Sequence, residues 1–360
     1  MVFQMPVLVY EEKNCVKNHA EDLVKFGRKA MIVTGKHSAK ANGSFQDVAD
    51  ALDSQNIGYI LYDEVEENPS LETVMKARET GVAEQVDFVI GIGGGSPMDA
   101  AKAIALMIAN PDKEAAFLDE KISSVSCLPV IAVPTTCGTG SEVTGVSVLT
   151  RHDRHTKASI AHRIYPKMAL IDAGYLASAP MSVLCNTAVD ALAHLVESYI
   201  NTNATDYSRM FVREGLMVWS RSKDVLSGKR KPQMEDYRNM MNASTYAGMA
   251  IAHTGTSLPH GLSYYVTYEM GIAHGKACAY FLAGYIREAD ADMQKDILSM
   301  AGFADADALE AYLTEVCSLT PLPQELRQRA AEGIGSNEAK KKNCPYPADA
   351  AVLQRIAGLF

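Results

Sequence analysis

Asp190 and His194 stand four residues apart in NTAVDALAHLVESY, a stretch with helical spacing. Side chains at i and i+4 share one helix face, so a carboxylate and an imidazole can reach a common point. Alone, such a pair reads better as a surface or capping pair. Further along, His260 sits in SLPHGLSYY and His274 in GIAHGKA, each followed by glycine. One carboxylate and three imidazoles make a set suited to Fe²⁺ or Zn²⁺, with room for a substrate oxygen. His152, His155, His162 and His253 have no such claim, so spacing by itself does not establish the four-residue site.

Two loops could hold phosphate. Residues 88–96 read FVIGIGGGS, and helix-forming MDAAKAIA follows. A strand, a glycine turn and a helix N-terminus together favour an anion, because free N–H groups and the helix dipole point at it. Ser96 and Asp99 fall at the helix start, as caps or as cofactor ligands. An ordinary βα turn would use the same glycines, and the spacing is not GxGxxG. Residues 134–144, PTTCGTGSEVT, follow a second apolar run. They place hydroxyls and glycines at a strand's C-terminal end, where ligands sit in open α/β sheets.

The elements that position these residues are legible in outline. Apolar runs at 30–34, 58–62, 88–92 and 129–133 read as strands, with helices at 46–53, 71–80 and 97–108 between them. That alternation indicates a mostly parallel sheet covered on both faces. From about 181 onward, Ala/Leu/Met-rich stretches such as 186–199 and 234–252 replace the β-type runs, with Pro and Gly punctuating at 259–261 and 333–335. The expectation is a dinucleotide-binding α/β domain over 1–178 and an all-helical metal-binding domain over 179–360. The chain has 360 residues, 48% hydrophobic and 21% charged, with net charge −9, which argues against a nucleic-acid binder. No apolar run is long enough to span a membrane, and no signal peptide is evident. Seven cysteines without a CxxC pair suit reduced thiols in a cytoplasm. The lysines at 340–342 read as a solvated surface cluster.

Taken together, these motifs resemble the iron-containing (group III) alcohol dehydrogenase family. The resemblance rests on GIGGGSPMDAAK at 91–102, PTTCGTGSEVT at 134–144, DALAH at 190–194 and the two His-Gly pairs, and covers essentially the whole chain. Even NCPYPAD at 343–349 is similar to the family's end segment. The resemblance implies a dehydroquinate synthase-like architecture, a small alcohol or aldehyde substrate, hydride transfer to or from nicotinamide, a metal acting as Lewis acid, and a homodimer. It implies that Gly94, Gly95, Ser96 and Asp99 hold the cofactor pyrophosphate, that Thr135, Thr136 and Thr139 line the cofactor site, and that Lys157 approaches its ribose or phosphates. It assigns Asp190, His194, His260 and His274 to the metal, with His274 also at the catalytic centre.

The chain departs from the pattern twice. Many members carry a further histidine four residues after the third ligand, and here that position is Tyr264. Its hydroxyl could pass a proton or bond the substrate, or its ring could simply wall the pocket. NAD-preferring members resemble one another in an acidic residue after the first strand, whereas residues 33–38 read VTGKHS, without a carboxylate. Gly35, Lys36 and Ser38, with Lys40, offer space, charge and a hydroxyl to a 2′-phosphate, so NADP(H) is expected over NAD(H). A glycerol dehydrogenase-like polyol oxidoreductase is the nearest alternative. A dehydroquinate synthase-like lyase would need several basic residues near 260–274, where only Lys276 is found.

Overall fold

The computed structural model describes residues 3–122, 124–154 and 156–359. The chain forms two compact units. Among the described residues, one comprises 4–136 with 141–179; the other comprises 180–359, joined by Phe3 and the short segment Cys137–Gly140.

The first unit is built on strands β1 (Leu8–Glu11), β2 (Lys29–Val33), β3 (Gly58–Tyr62), β4 (Phe88–Gly93), β5 (Val130–Pro134), β6 (Val148–Arg151), β7 (Thr156–Ser159) and β8 (Met168–Ile171). Six of them form one sheet in the order β1-β8-β5-β4-β2-β3. Every pairing in it is parallel, while β6 and β7 form a separate antiparallel pair. Alternate residues of β2 and β4 enter different cores: Met31, Val33 and Val89 one, Ala30, Ile32, Phe88 and Ile90 the other. Burial on both faces is why these strands read as unbroken apolar runs. Sequence reading misses β1 and β8, which have four residues each. β8 reads MALI, a composition that favours helix, and only its seat between β1 and β5 makes it a strand.

Three helices of this unit matter here: α1 (Ser44–Ser54), α2 (Leu71–Ala83) and α3 (Gly95–Ile108). The chain runs from β2 outward to β3, but from β4 across to β5 on the other side. The strand order therefore reverses between β2 and β4, which pair directly through Val33 and Gly91. Such a reversal opens a crevice at the strands' C-terminal ends. Gly35–Ser38 and Gly93–Ser96 both leave the sheet there.

The second unit contains no strand among its described residues. Its helices nearest the chemistry are α4 (Met181–Tyr199), α5 (Asp206–Ser220), α6 (Met234–Thr254), α7 (Leu258–Met270), α8 (His274–Arg287), α9 (Gln324–Gly335) and the one-turn α10 (Glu338–Lys342). α4 is the centre of this bundle, buried continuously from Ala188 to Tyr199 and packed by α5, α6 and α8. The punctuation expected at 259–261 and 333–335 lies inside helices instead. Pro259 occupies the first turn of α7, where its missing N–H has no intrahelical partner to lose. No helix of the described residues is long and apolar enough to cross a membrane.

Candidate metal centre and nucleotide loops

On α4, Asp190, His194 and Glu197 recur at helical spacing and point to one side of the helix. α7 brings His260 to that side, and α8 begins with His274. Asp190 Oδ1 lies 3.5 Å from His260 Nε2 and 3.8 Å from His274 Nε2. Ligand atoms of Asp190, His260, His274 and Cys278 all fall within 4.8 Å of one another. His194 stands outside that set, its ring stacked on His260 at 4.3 Å between centroids. Gly275 explains why glycine follows His274. A Cβ there would meet the Asn186 carbonyl oxygen at 1.8 Å, so only glycine lets α8 approach α4.

The electrostatics follow from burial. Glu197 is fully buried and accepts the Ser257 N–H, the His260 N–H at 3.2 Å and the His260 Nδ1–H. It thus caps α7 and fixes the His260 ring in one step. With Nδ1 occupied, His260 Nε2 is left without a hydrogen-bond partner, as is Asp190 Oδ1. Burial alone would push the Asp190 carboxyl up, but His194, His260 and His274 hold it well below the usual range. Burial and the neighbouring His260 push His194 down to about 4, so its ring is neutral. Its Nδ1–H donates to the Gly138 carbonyl at 3.2 Å, which leaves Nε2 as a lone pair. Burial would lower His260 too, yet Glu197 and Asp190 outweigh it and raise the ring to about 9. Two orphaned buried atoms, Asp190 Oδ1 and His260 Nε2, beside the neutral His194 make a donor set that a divalent cation would satisfy, taking the place of the proton on His260 Nε2. Tyr264 stacks on His274 at 5.5 Å.

In the α/β unit, Gly93 turns the chain at φ +145°, where a side chain would strike Pro97. Gly94 precedes α3 without a side-chain cap, and the first turn holds no acidic residue, so the amides of Gly95 and Ser96 remain available to an anion. Thr135 N–H bonds the Gly93 carbonyl at 2.9 Å, and Thr136 packs against Gly94. Thr139 belongs to the segment that joins the helical unit. Asp99 is committed to the protein: it accepts Ser141 Oγ at 2.6 Å and the Val148 N–H at 2.8 Å. Lys157 Nζ reaches Asn68 Oδ1 at 2.5 Å, and Asn68 N–H reaches Ser96 Oγ at 3.0 Å. After β2, the carboxylate absent from residues 33–38 comes from the end of the next strand. Asp63 accepts Lys40 Nζ at 2.6 Å, and Lys40 holds its carboxyl below the usual range.

A family model for iron-containing alcohol dehydrogenases matches residues 6–173, and the model for that family's C-terminal region matches 184–356. The chain belongs to the iron-containing alcohol dehydrogenase family. It is 31% identical to long-chain-alcohol dehydrogenase 1 of Geobacillus thermodenitrificans, over 86% of this chain and 78% of that one. It is 28% identical to an NADPH-dependent butanol dehydrogenase of Clostridium saccharobutylicum, over 88% of this chain and 83% of that one. The crystal structure of an iron-containing alcohol dehydrogenase from Thermotoga maritima superposes with a TM-score of 0.90 at 34% identity, covering 99% of this chain and 98% of that one. The dehydrogenase is therefore an oxidoreductase that interconverts alcohols and aldehydes with a nicotinamide cofactor and a divalent metal.

Sequence reasoning overlooked several residues of the dehydrogenase. Glu197 lies seven positions after Asp190, a helical repeat that could have found it. Cys278 follows His274 by one turn, and its thiol, 3.9 Å from His274 Nε2, is pushed far up by burial. Lys102 is fully buried, donating to Ser141 Oγ at 2.6 Å and the Val146 carbonyl at 2.8 Å. The lysine cluster at 340–342 is not a uniformly solvated surface. Lys342 is exposed, but Lys340 turns inward, donates to Thr256 Oγ1 and lies 5.5 Å from the Tyr264 ring centroid.

Proposed function

We propose that Asp190, His194, His260 and His274 hold the dehydrogenase's divalent cation, Fe²⁺ or Zn²⁺, and that NADP(H) is its preferred cofactor. The observation that carries the metal reading is the convergence of Asp190 Oδ1 and His260 Nε2, both buried and both unpartnered, 3.5 Å apart. When bound, the cation supplies Lewis acidity toward a substrate oxygen, and the nicotinamide exchanges the hydride. Glu197 holds the His260 Nδ1–H so that Nε2 faces Asp190, and the Gly138 carbonyl orients His194 in the same way. His274 and Tyr264 contact the substrate, with the Tyr264 hydroxyl able to hold or pass a proton. The open amides at Gly94, Gly95 and Ser96 bind the pyrophosphate, and Thr135, Thr136, Thr139 and Lys157 line the nucleotide. Asp99 acts one step removed, by fixing the Ser141–Val148 stretch against α3.

Gly35, Lys36 and Ser38 give a 2′-phosphate space, charge and a hydroxyl, and Lys40 neutralises the Asp63 carboxylate. The NADPH-dependent relative from Clostridium points the same way. The working form is a homodimer in a cytoplasm, in keeping with seven free thiols. The test is oxidation of NADPH and NADH with short aldehydes and oxidation of glycerol, on protein loaded with Fe²⁺, with Zn²⁺ or treated with chelator. Metal-dependent oxidation, faster with NADPH, is expected. Full activity with chelator overturns the metal assignment, faster NADH oxidation overturns the cofactor assignment, and preference for glycerol makes the protein a polyol oxidoreductase. Absence of any oxidation with cofactor binding intact overturns hydride transfer itself.

A further inference from the structure

Lys340 is a half-buried cation whose side chain folds back onto the helical unit. Asn337 caps α10 by accepting the Lys340 N–H, and Asn343 closes it by donating to the Thr256 carbonyl at 2.8 Å. The main chain of Asn343 is held in turn by the Thr202 N–H at 3.0 Å. The Lys340 ammonium lands on Thr256 Oγ1. Burial lowers the ammonium pKa, opposed by the charge of Glu197.

A role in stability alone does not account for a charge in this place. An ammonium carries three donors, and Thr256 Oγ1 takes one. Among the described residues no carboxylate forms an ion pair with it; Lys341, its neighbour, takes Glu338 instead. Glu197 is already occupied on both oxygens, by Ser257 and His260. Partly desolvating an ammonium without a hydrogen-bonded counter-charge carries a cost, and a neutral side chain would tie the segment to Thr256 without it. The Tyr264 ring lies 5.5 Å from Lys340 Nζ and 5.5 Å from the His274 ring. Tyr264 and His274 are both partly exposed. A molecule a few bonds long, with its reactive oxygen at His274, can reach the ammonium past one tyrosine ring.

Resting on the dehydrogenase reading above, we propose that Lys340 binds an oxyanion at the far end of the substrate. The substrate class is then a short aldehyde, or the matching alcohol, ending in a carboxylate, sulfonate or phosphate. The spare donors of Lys340 would be completed by that group, and Thr256 holds the ammonium in place for it. Specificity arises because an uncharged substrate leaves the spare donors without a charged partner.

The experiment compares kcat/KM for NADPH oxidation with butanal, with the four-carbon aldehyde ending in a carboxylate, and with short aldehydes ending in sulfonate or phosphate. The expected result is preference for one oxyanion-bearing aldehyde over butanal, and which of the three leads identifies the end group. In Lys340→Met the ratio of charged to neutral kcat/KM should fall about 10–100-fold, mostly through KM, and Lys340→Arg should restore much of it. Isothermal titration with 4-hydroxybutyrate and with butanol gives a readout free of turnover. Lys340-dependent binding of 4-hydroxybutyrate without NADPH oxidation would keep this proposal and sink the hydride-transfer reading. Oxidation of NADPH with a ratio that Lys340→Met leaves unchanged, or a parent enzyme that prefers butanal, would overturn this proposal and leave the hydride-transfer reading intact.

Discussion

Glu197→Gln isolates one charge while keeping shape. The carboxylate accepts the Ser257 N–H on one oxygen, and the His260 N–H and Nδ1–H on the other. Glutamine supplies only one acceptor oxygen, and its NH₂ must face a donor whichever way it turns. If the oxygen keeps His260, the Ser257 N–H at the start of α7 is stranded. If it keeps Ser257, the imidazole loses the partner that aims Nε2 at Asp190. Hydrogen bonds to a charged group contribute about 1.5–3 kcal/mol each, and a stranded buried donor costs about 1–3 kcal/mol. Loss of an outer partner of a ligating histidine typically costs about 10–100-fold in metal affinity. The metal-free variant should therefore melt lower by an amount equivalent to about 1–3 kcal/mol. Its affinity for Zn²⁺ or Co²⁺, measured by competition with a chelator, should fall by that 10–100-fold factor. A folded Glu197→Gln protein that binds the metal as tightly as its parent would refute the positioning argument, and with it the placement of His260 in the metal site.

Two further outcomes follow from single contacts. Gly275→Ala places a Cβ 1.8 Å from the Asn186 carbonyl oxygen, which is backbone and cannot swing aside; α8 must shift, and denaturant titration should show a loss of about 1–3 kcal/mol or more, whereas unchanged stability and metal affinity would mean the α4–α8 approach is not what the glycine serves. Asp236 caps the start of α6 and accepts Arg230 through two bonds of 2.5 and 2.6 Å, so its carboxyl is held below the usual range, chiefly by Arg230. A depressed folded pKa means the contribution is present above the ordinary carboxylate value of about 4 and is lost as pH falls through the folded value. Asp236→Asn should lower the melting temperature near neutral pH and narrow the gap to its parent as acid is added; a gap independent of pH would show that the ion pair contributes nothing.

What the sequence made legible here depended on how far apart the cooperating residues lie along the chain. The β2 to β5 runs and the long helices were readable because burial on two faces, or on a helical stripe, leaves its period in adjacent residues. β1 and β8 were not, since a four-residue strand carries too few residues for any period and takes its shape from its neighbours in the sheet. The same rule governs the candidate site. Asp190 and His194 announce themselves at i and i+4, and Glu197 lay open to the same reasoning one turn on. What could not be read is its job, because the donors it accepts arrive from residues 257 and 260, on another helix. Lys340 is the extreme case. In the sequence it is one lysine of three beside an acidic neighbour, and everything local suggests solvent. It is turned inward by Asn337, which caps its helix, and by Asn343, which donates to the Thr256 carbonyl, while Lys342 stays out. A residue whose environment is made entirely by distant segments leaves no local pattern, so composition assigns it the commonest role of its type. Where the fold then turns a charge away from open solvent against that expectation, the placement itself argues for function, and for this lysine the argument is strongest because no described carboxylate pairs with it.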